Sequence, residues 1–261
     1  MQTQNQMLPM QDAQMQGMLN QGIPMQVDPF QLIQMADKIK VKQIIDLIEV
    51  LGFCEKENTY DIFTYTNNQK VYIARAKEES SCCQRYFCSG DSRAFKIHFY
   101  YPNSKNSFLT VDRPFKCTCC CLARPIMYNN LTNGQKIGTV KNPCTCCSPL
   151  FEITDENDSV KYTVTIRYCQ LGFCVRGCKC YEVTGEIYSA KDNQNPIGTF
   201  LKKAKCCQET FTDANTFEIS IPANLPVNDK LNLLCCVVMI DFRYYEEGPT
   251  DKGNVSNVKI H

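Results

Sequence analysis

From Tyr60 onward the chain repeats one unit: apolar residues at every second position, a cluster of turn residues, then a second apolar stretch. Tyr60, Ile62, Phe63 and Tyr65 face Val71, Tyr72 and Ile73 across Thr66-Asn67-Asn68-Gln69. Phe95, Ile97 and Phe99 face Phe108, Leu109 and Val111 across Pro102-Asn103-Ser104. The unit returns as Ile126 to Tyr128 with Ile137 to Val140 across Asn133-Gly134, and as Phe151 to Ile153 with Tyr162 to Ile166 across Asp155 to Asp158. It returns once more as Tyr181 to Tyr188 with Ile197 to Leu201 across Asp192 to Pro196. Two-residue alternation broken by Asn, Asp, Gly and Pro is the signature of the β-hairpin. Five or six consecutive hairpins imply ten to twelve antiparallel strands, and so many unpaired edges demand closure. The expected fold is mainly β, a closed antiparallel barrel of about twelve strands.

The most apolar run, LNLLCCVVMI from Leu231 to Ile240, breaks this pattern. Leu231, Leu233, Leu234, Val237, Val238 and Ile240 carry it, and with the following Asp241 and Phe242 it reads as a hydrophobic segment over 231–242. A helix needs about 20 apolar residues to cross a bilayer, and extending this one brings Asp241 into hydrocarbon. Apolar all round and about ten residues long, it suits burial in protein, for example threading the barrel. Insertion in a membrane is the alternative.

Ahead of the hairpins, residues 1–28 hold six of the nine Met and eight Gln with almost no charge, a composition too poor in apolar surface to offset chain entropy. This segment is expected to be a disordered tail, residues 29–247 the folded domain and 248–261 a C-terminal tail. Ile44, Ile45, Leu47, Ile48 and Leu51 predict an amphipathic helix over 42–51 stopped by Gly52, with Asp37 as a cap for an earlier turn.

Charge and motifs exclude several functions. With 28 Lys and Arg against 27 Asp and Glu the formal net charge is +1, so no global basic field draws nucleic acid. There is no phosphate-binding glycine loop, no GxSxG and no histidine in triad or ligand spacing, so bond-making catalysis is not expected. His98, alternating with Ile97 and Phe99, reads as a satisfied strand histidine.

The 19 Cys are the compositional anomaly. No apolar stretch of signal-peptide length opens the chain, so the thiols are expected in a reducing compartment and mostly free. An odd count argues further against a full disulfide framework. Cys144, Cys146, Cys174 and Cys178 from neighbouring hairpins are a candidate zinc quartet, although Cys144 and Cys146 are only one residue apart and nothing in the sequence brings the four together. Zinc is therefore the less favoured reading.

The segments LIEVLGFCEKENTYDI, QKVYIARAKEESSCCQRYFC (69–88), RPFKCTCCC (113–121), ETFTDANTFEISIP (209–222) and MIDF (239–242) occur in order at matching spacing. Over about residues 40–246 the chain resembles the phospholipid scramblase family. The resemblance implies a tubby-like barrel around a central hydrophobic C-terminal helix. It also implies Ca²⁺-activated, ATP-independent, bidirectional movement of phospholipids between plasma-membrane leaflets, from the cytoplasmic face and without bond chemistry.

Cys117, Cys119, Cys120 and Cys121 match the family's palmitoylated run, with Leu122-Ala123-Arg124 standing where that run continues in cysteine. Inert thiols and metal binding are the alternatives there. Asp213, Asn215, Phe217, Ile219, Ile221 and Asn224 occupy the family's proposed Ca²⁺ loop. Glu218 at its sixth position and Asn224 at its twelfth leave any affinity weak, and Phe217, Ile219 and Ile221 also alternate as an ordinary strand. Lys202, Lys203 and Lys205 fall near a basic import segment of the family, and read locally as a solvated hairpin end.

The implied partners are membrane phospholipids, through an acyl anchor, and no nucleic acid. Flipping a headgroup through about 30 Å of hydrocarbon demands an oligomer or a thinned bilayer. The rival reading is a lipid-anchored interaction module that binds headgroups or proteins without moving lipid.

Overall fold

The computed structural model describes residues 28–44, 57–66, 68–82, 85, 92–116, 124–145, 148–167, 169–171, 181–204 and 215–245. A short helix, α1 (Pro29–Met35), precedes strand β1 (Lys38–Ile44). Five hairpins follow: β2 (Thr59–Thr66) with β3 (Gln69–Glu79), β4 (Phe95–Tyr100) with β5 (Ser107–Arg113), β6 (Ile126–Leu131) with β7 (Lys136–Lys141), β8 (Leu150–Thr154) with β9 (Val160–Ile166), and β10 (Val183–Ser189) with β11 (Asp192–Lys202). Strand β12 (Thr216–Ser220) and helix α2 (Val227–Tyr244) complete the order.

Every strand pairs with its chain neighbours and β1 pairs with β12, so the twelve strands close into an up-and-down barrel. Closure leaves no edge, which is the physical requirement the hairpin count raised. The turns use the chemistry the sequence offers: Asn68, Asn103, Asp158 and Gly134 all take positive φ at hairpin ends, a conformation that Asn, Asp and Gly tolerate best.

Four local expectations need correction. Lys42 to Ile44 belong to β1 and not to a helix, because Ile39 and Val41 point inward between Lys38, Lys40 and Lys42, a period of two. Residues 45–51 of the expected helix lie outside the described residues. Asp28 and not Asp37 caps α1, its carboxylate accepting from the Phe30 amide at 3.1 Å, while the Asp37 carbonyl accepts from Ile221. The last hairpin turns at Ala190-Lys191, and Asp192 to Pro196 form an irregularity in which the Asp192 carboxylate accepts from the Gln194 and Asn195 amides.

The fourth correction concerns Lys202. It is 3 % exposed with its ammonium 4.8 Å from the Tyr245 ring centre, because it shares the inward register of Phe200. Lys203 points outward and binds Glu218 at 2.8 Å.

Helix α2 fills the barrel, and every residue from Asp229 to Phe242 is buried. Leu231, Leu233, Leu234, Val237, Val238 and Ile240 are each at most 2 % exposed, so the hydrophobic run is the core of the barrel. Full burial of such side chains contributes about 1.5–3 kcal/mol each. Phe242 stacks on Phe95 at 4.1 Å between ring centres.

Polar side chains set the axial position of α2. Near its start Asp229 accepts from Lys161 and from the Tyr162 hydroxyl at 2.9 Å each, and burial, then this bond, push the Tyr162 phenol well above its ordinary value. Lys230 donates to the carbonyls of Gln34, Ala36 and Ala223 at 2.6, 2.7 and 2.7 Å. Midway, Asn232 accepts from Asn129 at 2.8 Å and donates to the Ile137 carbonyl at 2.9 Å. The adjacent Gly138 makes this possible, since a Cβ there would lie 2.2 Å from the Thr154 carbonyl oxygen and 2.4 Å from Asn232 Nδ2. Near the end of the helix, Asp241 accepts from Tyr60 at 2.7 Å and from Asn215 at 2.9 Å.

Candidate functional site

An up-and-down barrel sorts its connections alternately to two ends. At one end lie the tight hairpin turns, α1 and the start of α2. At the other lie the links from β1 to β2, β3 to β4, β5 to β6, β7 to β8, β9 to β10 and β11 to β12, with the end of α2. These six links contain 17 of the 19 Cys, and the turns at the opposite end contain none. Of these, Cys82, Cys144 and Cys169 are among the described residues, and topology brings these three, far apart in the chain, to one end of the barrel.

Among the described residues of this rim, Cys82, Cys144 and Cys169 are exposed. Phe115, Leu171 and Tyr181, in the links of the same end, are 54 %, 63 % and 43 % exposed. Lys116 follows Phe115, and Arg167 is mostly exposed between β9 and Cys169. Exposed thiols, exposed apolar groups and cations on one rim suit contact with an acidic lipid surface and attachment of acyl chains. Cys235 and Cys236, the two thiols outside the rim, are sealed in the core, where burial pushes both thiols up and keeps them protonated.

Cys117, Cys119, Cys120 and Cys121 belong by topology to the rim link between β5 and β6, but lie outside the described residues. So do Cys146, Cys174, Cys178, Asp213 and Lys205. Of the expected zinc quartet only Cys144 is described, and no group of three or more potential ligands among the described residues is placed to hold a metal.

The remaining residues of the expected calcium loop do not fit a loop wrapped around an ion. Thr216 to Ser220 form a strand paired with β1 on one side and β11 on the other, which ties its backbone into the ladders. Phe217, Ile219 and Ile221 are buried, Asn215 is committed to Asp241, and Asn224 lies exposed in the turn before α2. Glu218, the one carboxylate among them, is held by Lys203 at 2.8 Å and Lys40 at 3.8 Å. His98 bonds Thr110 at 3.1 Å and Glu79 at 2.9 Å, as expected of a strand histidine.

A family model described as Scramblase matches residues 18–247. The chain belongs to the scramblase family. Human phospholipid scramblase 1 is 32 % identical over 213 residues, covering 80 % of this chain and 63 % of that protein. Mouse phospholipid scramblase 1 is 30 % identical over the same length, covering 80 % and 61 %. Human phospholipid scramblase 4 is 28 % identical over 227 residues, covering 85 % and 65 %. The chain spans about three fifths of the length of the curated phospholipid scramblase 1 relatives it matches. No solved structure matches it. The closed barrel around a buried C-terminal helix agrees with the tubby-like architecture expected of the family.

Two features of the site escaped the sequence reading. The placing of Cys82, Cys144 and Cys169 at one end follows from the up-and-down order of consecutive hairpins, and the sequence reading did not draw it. The lysines of β1 were legible as Lys38-Ile39-Lys40-Val41-Lys42, a plain alternation that the apolar residues just downstream obscured.

Proposed function

We propose that this protein moves phospholipids between membrane leaflets, without ATP and in both directions, from the cytoplasmic face of the plasma membrane. The scramblase family match over residues 18–247 carries this reading. The rim of thiols, exposed apolar side chains and cations supports membrane attachment, with acylation of Cys117, Cys119, Cys120 and Cys121 as the anchor. Each buried acyl CH₂ contributes about 0.8 kcal/mol, so several chains hold a protein firmly where one does not.

Among the described residues no helix is long and apolar enough to cross a membrane, and α2 occupies the barrel interior. On this reading lipid does not travel along the barrel axis. The headgroup path lies outside the barrel, through bilayer thinned against the rim or between copies of the protein. Calcium activation on this reading draws on ligands other than a wrapped loop over 215–224.

The test is fluorescent-lipid exchange in liposomes carrying the purified chain, read by dithionite quenching over a Ca²⁺ titration without nucleotide. Quenching beyond the outer-leaflet share is expected. Quenching confined to that share with the protein bound would favour the second reading, a lipid-anchored interaction module, which the burial of α2 favours. For the anchor, replacing Cys117, Cys119, Cys120 and Cys121 with Ala should move most of the protein from the membrane to the soluble fraction in cells. Unchanged partition would overturn that assignment.

A further inference from the structure

The outward faces of five adjoining strands form a basic field that the near-neutral chain as a whole conceals. In the closed order β11-β12-β1-β2-β3, the outward positions carry Lys38, Lys40, Lys42, Lys70, Arg75 and Lys77, with Lys203 just past β11, against three carboxylates, Glu218, Asp61 and Glu79. Glu79, at the end of β3, bonds His98 of β4, and the other two are engaged within the field. Asp61 accepts from Arg75 at 2.8 and 3.1 Å, and Glu218 is shared by Lys203 and Lys40.

The field therefore keeps a large positive excess, although the whole chain has a formal net charge of only +1. Burial and then the ammonium of Lys203 hold Lys40 below the ordinary lysine value against the pull of Glu218, with Lys70 and Lys42 acting in the same sense.

Aromatic rings interleave the cations. Lys40 lies opposite Phe63, Phe63 opposite Tyr72, and Tyr65 opposite Lys70 in the strand registers. The Lys70 ammonium sits 3.5 Å from the Phe63 ring centre and that of Lys38 5.8 Å from Tyr65. The field runs about 13 Å along β1 and meets the cysteine rim at Lys42 and Lys203. It is the convex wall of a barrel, which lies against a broad surface more readily than it enters a groove. Amphipathic rings among lysines match the interfacial zone of a bilayer, where apolar body and polar tip are both accommodated.

We propose that this field is the docking face for an anionic phospholipid surface, so that the barrel lies tilted on the membrane along the edge where β1 meets the cysteine rim. The inference rests on the membrane reading above and adds to it the face, the lipid charge and the orientation.

The test uses the full chain, reduced and without acyl groups, sedimented with phosphatidylcholine vesicles with and without phosphatidylserine. Among the described residues Lys38, Lys42 and Lys70 have no carboxylate partner, and the three are replaced together by Gln. At about fivefold per lysine, binding to the serine-containing vesicles should fall about a hundredfold. The wild type should also lose binding as salt rises. Arg at the same three positions should retain binding, and a Lys96, Lys105 and Lys191 to Gln variant, of equal net charge to the first, should bind as the wild type.

The proposal is overturned if the first Gln variant binds as the wild type, if the control variant loses as much, or if the wild type ignores phosphatidylserine. Preference for duplex DNA over vesicles, lost in the same variant, would also overturn it, in favour of a polynucleotide. A protein that moves lipid without needing these lysines refutes the docking face alone. One that docks through them and moves no lipid supports the face and refutes the scramblase reading.

Discussion

Val238→Asp should lower the melting point of the purified, detergent-free protein by about 10–20 °C. Val238 is 1 % exposed in the middle of α2, where Leu234, Val237 and Phe242 of the same helix are also buried. A carboxyl group placed there finds no designed partner. Whether it stays ionised or takes up a proton, it brings a polar group into an apolar interior and removes two methyl groups of packing.

Changes of this kind reach about 4–5 kcal/mol, against a total stability of about 5–15 kcal/mol for a typical domain. In a chain of this size about 1 kcal/mol moves the melting point by about 2–4 °C, so the midpoint should drop by about 10–20 °C. Thermal melting by circular dichroism makes the comparison. A helix that lay in a bilayer would give a different result, since its substitution would leave the detergent-free barrel unchanged.

Lys230→Met should cost about 3 kcal/mol or more and loosen a specific part of the structure. The Lys230 side chain is 0 % exposed, and its ammonium bonds three carbonyls, those of Gln34 and Ala36 at the junction of α1 with β1 and that of Ala223 in the turn before α2. Hydrogen bonds to a charged group contribute about 1.5–3 kcal/mol each, and a carbonyl left buried without a donor carries its own penalty. Relief of the buried charge offsets part of this loss.

Met retains most of the stem's packing, so the change removes the three bonds together with the charge that makes them. Beyond the lower melting point, amide hydrogen exchange should quicken in residues 29–41, because Lys230 ties α1 to the core. Uniform quickening through all strands would show instead that the lysine stabilises the barrel only globally.

The sequence reading identified the five hairpins by their partners, and it failed where two periodicities overlapped. At 42–51 a helical spacing of Ile and Leu competed with the alternation beginning at Lys38, and β1 takes the alternation as far as Ile44. A strand closing the barrel gains ladder bonds to both β12 and β2, a return that local propensity does not include. Lys202 shows the same limit: three lysines near a hairpin end suggest solvent, but register turns Lys202 inward against Tyr245. Asp241, read as a bar to membrane insertion, is also a buried acceptor for Tyr60 and Asn215.

What the sequence determined by itself was local: alternation and turn residues specify hairpins, an apolar run of ten residues is too short to span a bilayer, and 19 cysteines mark where unusual chemistry resides. Tertiary structure alone decided what these parts face. The antiparallel order sends alternate connections to opposite ends, so Cys82, Cys144 and Cys169 share one rim, and closure of β1 on β12 puts lysines of β1, of β3 and just past β11 on one wall. The physical reason is that side-chain direction and turn type are short-range properties of the backbone, whereas adjacency around a barrel is set by pairing between strands as far apart as residues 38 and 220.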